Sequence, residues 1–506
     1  MADPSTDAAH SERTPLLAGE RDASPPAIAT GTHSSSSTTL ADQEADIDPP
    51  SPSTEDEDRP LPLWQMFLLC FARLVEPVAF FSIFPFVSQM IHESGSVPDT
   101  DVGFWSGWIE SSFSLTQTVF MLFWGRASDK YGRKPVLIAS LSGVAIASVL
   151  FGISKSVWQM IILRSLAGVF AGTIVTVRTM ITENSTPKTQ ARAFSFFAFA
   201  GNLGIFMGPL IGGALSKPAE QWPMVFGWST FLKQYPYLLP CIVSGGLAAV
   251  AAVINLIWLK ETRSLQKHHH AIVIQPPSVR EVLSAPGVIP VLCVFEYALL
   301  LGVAFTAVCP VFFWTPIELG GYGWEAPQIS LYLAAAGISQ AIWLLFVFPP
   351  LVNRIGTGTL LRICGWCWPI GFVLLPAMNL LLRHQQWTAF WVIMPFIVIP
   401  SAGVSMAFTG VQLALNDISP NPLAAGTLNG IALSLQSAVR AVAPAMYTTL
   451  YAWGVKEGIL WGQLGFVILT ITSLGFIVLL RWLPEKAEGR PKKKVDVEET
   501  QGGEEH

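Results

Sequence analysis

Charged residues are scarce in this sequence. Only 13% of the 506 residues are Asp, Glu, Lys or Arg, whereas a soluble globular protein usually carries about 25%. Hydrophobic residues make up 51% of the chain, and the mean hydropathy is +0.48. The charges also concentrate near the two ends, so the middle of the chain is more apolar still. This profile excludes an ordinary soluble domain and predicts an all-α polytopic membrane protein.

Other features are missing as well. There is no G-x-x-x-x-G-K-[ST] loop, which argues against an ATP-driven pump, and no catalytic constellation, so we expect neither an enzyme nor a bound cofactor. The net charge of -5 gives no sign of a nucleic-acid partner. The first residues lack a basic stretch followed by an apolar run, so we expect no cleavable signal peptide. All six cysteines lie in apolar segments. Even the pair in "CGWC", Cys364 and Cys367, is therefore interpreted as packing residues, because a redox pair needs a polar setting.

Residues 1–60 form a separate region rich in Ser, Thr, Pro and acidic residues. They hold too little apolar surface to fold, and we predict a disordered cytosolic tail. Within it, Glu12, Leu16 and Leu17 match the acidic dileucine pattern that adaptor complexes read in cytosolic tails. Such short patterns also occur by chance, so sorting to a vacuole or lysosome-like compartment is one of two readings.

Apolar runs long enough to cross a membrane, which takes about 20 helical residues, begin after Leu61. Twelve are predicted, approximately at 63–91, 103–124, 135–154, 157–181, 194–215, 236–258, 287–314, 327–350, 358–382, 388–415, 424–452 and 459–482. Lys and Arg are more numerous in the connections on the side of the N-terminus, which predicts that both termini face the cytosol. The predicted regions after the tail are a six-helix bundle at 61–259, a central cytosolic loop at 260–286, a second bundle at 287–483 and a cytosolic tail at 484–506.

An internal repeat supports two bundles of six. "SDKYGR", which starts at Ser128, resembles "VNRIGT", which starts at Val352, and the Gly208-Pro209 pair resembles Ala443-Pro444. The offsets, 353 − 129 = 224 and 444 − 209 = 235, are similar. Transporters are commonly built from such repeats, with the binding site near the midplane between them.

Three motifs carry a resemblance to a known family. The stretch from Gly125 to Lys134, "GRASDKYGRK", is similar to the loop 2–3 motif of the major facilitator superfamily, G-x-x-x-D-[RK]-x-G-R-[RK]. "GIFMGPLIGG", from Gly204 to Gly213, resembles the segment 5 motif of its antiporter branches, and Arg164 with Gly168 resembles the segment 4 motif. The chain thus resembles the twelve-helix drug:proton antiporter branch, and within it the fungal exporters and the zinc-induced facilitator-like transporters.

This resemblance implies roles for both longer motifs. The loop would gate the transporter by a breakable charge contact, and its residues are Gly125, Asp129, Gly132, Arg133, Lys134 and the partner Glu183. Gly125 and Gly132 are expected to allow tight turns and close helix approach. Asn353 and Thr357 replace the acid and the base in the second copy, which should therefore gate weakly. The antiporter motif would form a tight, kinked interface that limits leak, through Gly204, Gly208, Pro209, Gly212 and Gly213.

Ionisable residues inside membrane spans are costly and are functional candidates. The candidates for proton coupling or the cavity are Arg73, Glu76, Glu110, Arg164, Glu296 and Arg440. An acid beside a movable arginine can exchange the arginine for a proton, and Glu76 is our first choice for the proton carrier, with Glu296 second. The alternative is that Arg73–Glu76 or Arg164–Glu110 is a static ion pair.

We therefore expect a secondary active transporter that exports a small amphipathic organic molecule in exchange for protons. The proton gradient would be its energy source, and the bilayer, the cargo and protons would be its partners. We expect a monomer in the plasma or vacuolar membrane. The alternatives are a zinc, zinc-chelate or potassium transporter and a non-transporting sensor. The only metal-like cluster, Lys267 to His270, lies in the central loop and not in a predicted span.

Overall fold

The structure is a computed structural model, and it describes residues 60–262, 278–420 and 422–489. The sorting pattern at Glu12, Leu16 and Leu17 and the cluster at Lys267–His270 lie outside the described residues.

Helices account for most of the described chain, and no strand occurs in the described ranges. The first half contains α1 (Leu63–Phe81), α2 (Val87–Glu93), α3 (Val102–Tyr131), α4 (Arg133–Phe151), α5 (Val157–Phe170), α6 (Thr173–Asn184), α7 (Pro187–Leu215), α8 (Pro218–Gln221), α9 (Pro223–Phe226), α10 (Thr230–Gln234) and α11 (Leu238–Trp258).

The second half repeats this pattern of long helices. It contains α12 (Val279–Ser284), α13 (Val288–Trp314), α14 (Ala326–Ile342), α15 (Phe348–Ile355), α16 (Thr357–Arg383), α17 (Trp387–Ala402), α18 (Met406–Ile418), α19 (Pro422–Lys456) and α20 (Leu464–Leu479). A π-helical turn at Trp343–Val347 joins α14 to α15.

Each of the twelve predicted segments is mostly helical, and residues 82–86 interrupt the first one between α1 and α2. In the described ranges, ten helical stretches are both long and apolar enough to cross a membrane. The other two predicted segments correspond to α3, with 30 residues, and α19, with 35 residues. These two are long enough but more polar, because they carry Glu110, Gln117, Gln436 and Arg440.

The prediction of a loop at Gly125–Lys134 is wrong in its extent. Helix α3 continues through Tyr131, so Gly132 alone separates it from α4. The expected turn at Gly125 is wrong too, because Gly125 is helical and a Cβ there would lie 3.8 Å from Val175, an ordinary contact. Ala127 and Lys130 favour the helix, and nothing before Gly132 interrupts it.

Each half has its own hydrophobic core. The largest cluster lies entirely in the second half, from Val282 to Ala487. Another lies entirely in the first half, from Met66 to Leu259, and joins α1, α4, α6, α7 and α11. This separation matches two bundles, although the exact boundaries at 259 and 287 stay predictions.

The repeat is visible in the backbone. Gly132 (φ 106°, ψ 159°) separates α3 from α4, and Gly356 (φ 79°, ψ 162°) separates α15 from α16. Residues other than glycine avoid this region. We call the end of the bundle that carries Gly132 and Gly356 the loop end, and the end that carries Asp101 and Lys456 the far end.

Candidate functional site

The two halves are sealed together towards the far end by α3 and α19. Lys456 Nζ lies 3.2 Å from Oδ1 of Asp101, and the Ala445 N–H donates to the Ser111 hydroxyl at 2.9 Å. A Cβ on Gly107 would lie 1.7 Å from the Thr448 hydroxyl oxygen, so only glycine allows this approach. These contacts close the space between the halves over the far-end part of both helices.

A second seal joins α7 of the first half to α14 of the second. The Ser330 hydroxyl donates to the Pro209 carbonyl at 2.8 Å, and a Cβ on Gly213 would lie 2.0 Å from Cβ of Ser330. Gly337 leaves room for the Phe206 ring in the same way, since a Cβ there would lie 2.9 Å from the ring.

The other glycines of the segment 5 motif pack inside the first half. A Cβ on Gly204 would lie 2.5 Å from the Leu74 carbonyl on α1, and one on Gly212 would lie 1.8 Å from the carbonyl of Ser82, the residue that ends α1. A Cβ on Gly208 would lie 2.9 Å from Cβ of Phe81, also on α1. The tight interface that the motif predicts is therefore mainly α7 on α1, and Gly213 extends it to the second half.

Towards the loop end, α3 and α19 no longer touch in the same way. Val119, Leu122 and Phe123 on α3 are exposed, and a Cβ on Gly426 or Gly430 of α19 would meet nothing within 4 Å. The contact between the Thr118 hydroxyl and the Ser437 carbonyl, at 3.2 Å, lies near the point where the helices separate. We interpret this separation of α3 and α19 as a cleft between the halves that is open at the loop end and closed at the far end.

Predicted charged residues gather where the cleft ends. Gln117 Nε2 donates to Glu76 Oε1 at 2.5 Å, next to the Thr118–Ser437 contact. Arg440 lies one turn from Ser437, about midway along α19, and its side chain is exposed. Its charge acts on Glu76 across the halves. We call Arg73, Glu76, Gln117 and Arg440 the roof cluster.

Arg73 completes the roof cluster from the side of α1. Its guanidinium lies 4.9 Å from the centre of the Phe197 ring on α7, and a Cβ on Gly201 would lie 2.9 Å from its Nη2. The Nε of Arg73 is buried without a hydrogen-bond partner among the described residues. Arg178, which sequence reasoning missed, lies 5.9 Å from the same ring. A lone arginine on α6, outside the matched motifs, gave no signal of its own.

Glu110 and Arg164 lie in the interior of the first half. Both side chains are buried, and they are close enough for their charges to interact. Arg164 packs against the rings of Phe80 and Phe113, 5.2 and 4.7 Å from their centres, and donates to the Phe80 carbonyl at 3.4 Å. No ion pair within 4.0 Å joins Arg164 to Glu110, or Arg73 to Glu76, among the described residues.

Glu296 on α13 has a different setting from Glu76. Both of its carboxyl oxygens are buried, and neither has a hydrogen-bond partner among the described residues. Glu76 has Gln117 as a hydrogen-bond donor and two arginines as charge neighbours. Glu76 therefore has a hydrogen-bond donor and nearby positive charge, whereas Glu296 has no hydrogen-bond partner among the described residues.

The loop-end motif is a charge network around Arg133. This side chain is 2% exposed, its Nε and Nη2 both lie 3.0 Å from Oε1 of Glu183, and its Nη1 donates to the Ser128 carbonyl at 2.8 Å. Asp129 Oδ1 lies 3.0 Å from the same Nη1, but the Asp129 side chain is 71% exposed. Glu183 thus holds Arg133 in place, while Asp129 remains accessible at the edge of the cleft.

Glu261 is a residue that sequence reasoning missed. Its carboxylate accepts the backbone N–H groups of Arg133 (2.9 Å) and Lys134 (3.0 Å) at the start of α4. An acid at a helix N-terminus is favourable. The neighbouring Thr262 hydroxyl donates to Glu183. Glu261 is the first acid after the sixth segment, but its sequence distance of 128 residues from Arg133 hides the contact.

The chain is similar to known membrane transporters. Residues 69–444 match the family model of the Major Facilitator Superfamily. Efflux pump azaK of Aspergillus niger is 45% identical over 85% of this chain and 90% of its own. Protein ZINC INDUCED FACILITATOR-LIKE 1 of Arabidopsis thaliana is 26% identical over 85% of this chain and 93% of its own.

A solved structure gives the same architecture. A bacterial homologue of the human lysosomal transporter Spinster, in an inward-facing and unoccupied conformation, covers 85% of this chain and 98% of its own. The TM-score is 0.62 at 15% sequence identity, which shows the shared fold. The two bundles, the twelve long helices, the loop 2–3 motif and the family match together make this chain a member of the Major Facilitator Superfamily.

Proposed function

We propose that this protein exports a small amphipathic organic molecule by alternating access. The observation that carries the proposal is the one-sided cleft, which is closed at the far end and ends at the roof cluster. Support comes from the efflux pump of Aspergillus niger, which is 45% identical over most of both chains. Cargo would enter at the loop end and leave after the seals at Asp101–Lys456 and Gly213–Ser330 open.

In this proposal the loop end faces the cytosol and both termini lie there, as the distribution of Lys and Arg predicts. The protein would act as a monomer in the plasma or vacuolar membrane. Its energy source would be the proton gradient rather than a bound cofactor.

Glu76 is proposed as the proton carrier. It is buried and lies against Gln117 and the charge of Arg440, so a cargo that takes up Arg440 or Gln117 would change the partners of Glu76. Glu296 is the second candidate. A buried charge without a partner is costly, and a proton would remove the charge on Glu296 when no partner is available. Arg164 and Glu110 are assigned to packing within the first half.

An organic cargo is preferred over zinc or potassium. Among the described residues no three His, Cys, Asp or Glu side chains lie together in a way that could hold a metal ion. The cleft end offers guanidinium, amide and one carboxylate group, whereas a bare metal ion requires several carboxylate, His or Cys ligands. The relative associated with zinc by name is also the more distant one, at 26% identity.

Reconstitution in proteoliposomes tests the proposal. The purified chain would be assayed with a panel of amphipathic aromatic dyes while a pH gradient of either sign is imposed. Dye movement against its own gradient, driven by protons moving the other way, is the expected result. Glu76→Gln should abolish the dependence on the pH gradient while exchange of dye across the membrane persists.

Glu296→Gln is the matched variant. If it removes the pH dependence and Glu76→Gln does not, the proton carrier is Glu296. If the wild-type chain moves none of the dyes but moves zinc or potassium, organic export is wrong. If both variants keep full coupling, proton exchange through these acids is wrong.

A further inference from the structure

The connection between α7 and α11, residues 217–236, is unusually apolar for a loop. We call it the far-end loop. In it, the side chains of Trp222, Met224, Val225, Trp228 and Phe231 are 51%, 99%, 56%, 81% and 55% exposed. No charged residue occurs from 221 to 232. A cluster of exposed apolar side chains of this kind marks an interaction surface.

The indole groups of this loop already have hydrogen-bond acceptors. Trp222 Nε1 donates to the Ala214 carbonyl at 3.1 Å, and Trp228 Nε1 donates to the Val225 carbonyl at 2.6 Å. The polar atoms therefore do not require water, and both rings can enter an apolar environment without leaving a donor unpaired.

Both ends of the far-end loop are held by the bundle. The Lys217 N–H donates to the Pro236 carbonyl at 2.8 Å, its Nζ lies 2.6 Å from Glu93 Oε1, and the Tyr237 hydroxyl donates to Glu93 Oε2 at 2.7 Å. Burial by itself lowers the pKa of Lys217, but its hydrogen bond to Glu93 and the nearby acids raise that pKa overall. Lys217 thus keeps the charge that holds the base of the loop.

The far-end loop lies next to the parts of α7 and α11 that face lipid. The helices on either side of it, α7 and α11, are spans, and they expose Leu210, Ile242 and Val243 close to the far end. The apolar surface of the loop continues this surface beyond the ends of the helices. Tryptophan and tyrosine are enriched at the depth of the lipid headgroups, where a ring can be buried and polar atoms remain satisfied.

We propose that the far-end loop docks into the lipid surface of the leaflet at the far end, with Met224, Trp228 and Phe231 inserted at the level of the headgroups. The loop fixes the depth of α7 and α11 in the membrane. Because α7 carries Gly213, this anchor holds one side of the seal against α14 while the other half moves.

Fluorescence quenching in vesicles tests the docking. The six native cysteines, none of which forms a disulfide in the described chain, are replaced by alanine, and Met224→Cys is labelled with an environment-sensitive fluorophore. The protein is reconstituted in phosphatidylcholine brominated either near the headgroup or near the chain end. We expect quenching by the headgroup-proximal bromines to be several times stronger than quenching by aqueous iodide.

Glu457→Cys is the matched control, because Glu457 is exposed at the far end outside this loop. A label on Glu457→Cys should be quenched more strongly by aqueous iodide than by the headgroup-proximal bromines. Quenching of the Met224→Cys label by iodide alone would overturn the docking. Protection from both quenchers would also overturn it, and would indicate that a second copy of the chain covers the loop. Both readouts are independent of transport, so they stand whether or not the proposed export function holds.

Discussion

The two turns at the loop end have the same backbone but different chemistry. Gly132 and Gly356 both adopt positive φ and both separate two helices by one residue. Around Gly132, the buried guanidinium of Arg133 binds Glu183 and Asp129. After Gly356 the corresponding residue is Thr357, which is buried and uncharged.

The acidic residues that follow the two bundles, Glu261 and Glu488, make different contacts. Glu261 holds the start of α4 with its carboxylate. Glu488, at an offset of 488 − 261 = 227, lies at the start of α16, where its backbone carbonyl accepts the Gly358 N–H at 3.0 Å and its carboxylate lies 2.5 Å from Arg362. In both halves, the segment that follows the last long helix therefore contacts the start of the helix after the one-residue turn, α4 in the first half and α16 in the second. The cation is more deeply buried in the first copy, where Arg133 is 2% exposed, than in the second, where Arg362 is 43% exposed, which is why we propose the gate in the first copy.

The largest expected effect comes from Arg133→Gln compared with Thr357→Val. Arg133→Gln leaves Glu183 without its cation, and breaking such a buried pair costs about 3–5 kcal/mol. We expect a large fall in the unfolding temperature in detergent and a loss of transport. Thr357→Val keeps the shape and should cost ~1 kcal/mol. Equal unfolding temperatures for the two variants would contradict the asymmetry.

The next effect comes from Glu261→Gln compared with Glu488→Gln. Removing the charge of Glu261 weakens the start of α4 by about 1 kcal/mol, which corresponds to about a fivefold fall in transport rate if the contact acts in the gating step. Glu488→Gln keeps its backbone hydrogen bond and weakens a partly exposed ion pair with Arg362, worth ~1 kcal/mol or less. Transport assays at matched membrane levels would distinguish them. A stronger effect at Glu488 would place the gate in the second copy.

Asp129→Asn should reduce transport while leaving the stability of the protein almost unchanged. Because Asp129 is mostly exposed, the unfolding free energy should change by at most ~0.5 kcal/mol. Transport should still fall about threefold, since the gating contact is worth ~1 kcal/mol or less. The variant must be shown to reach its membrane. Wild-type turnover would remove the gating role of Asp129.

The smallest effect is expected from Asn353→Asp, which restores the acid of the motif in the second copy. Thr357 supplies no cation for it, so we expect transport within about twofold of wild type and stability within ~0.5 kcal/mol. If Asn353→Asp changes transport as much as Asp129→Asn does, the second turn also participates in gating.

Much of the fold could be predicted from the sequence, because long apolar runs report spans directly and the loop motif is local. The one-residue turn was not predictable, since charge and glycine at 125–134 suggested a loop where α3 in fact continues. Sequence reasoning also missed residues whose contacts join parts of the chain that are far apart in sequence. Glu261 and Arg178 lie far in sequence from Arg133 and Arg73, and nothing local marks their partners. The orientation of Gly204, Gly208 and Gly212 towards α1 depends on tertiary packing in the same way.

The central claim is that the halves must separate at the far end for transport. Gly103→Cys with Ala452→Cys tests it, because a Cβ on Gly103 would lie 3.2 Å from Cβ of Ala452, close to the roughly 3.5–4.5 Å of a disulfide. In a background without native cysteines, oxidation should stop dye transport and reduction should restore it, while each single variant stays active. Undiminished transport with the disulfide formed would contradict the account.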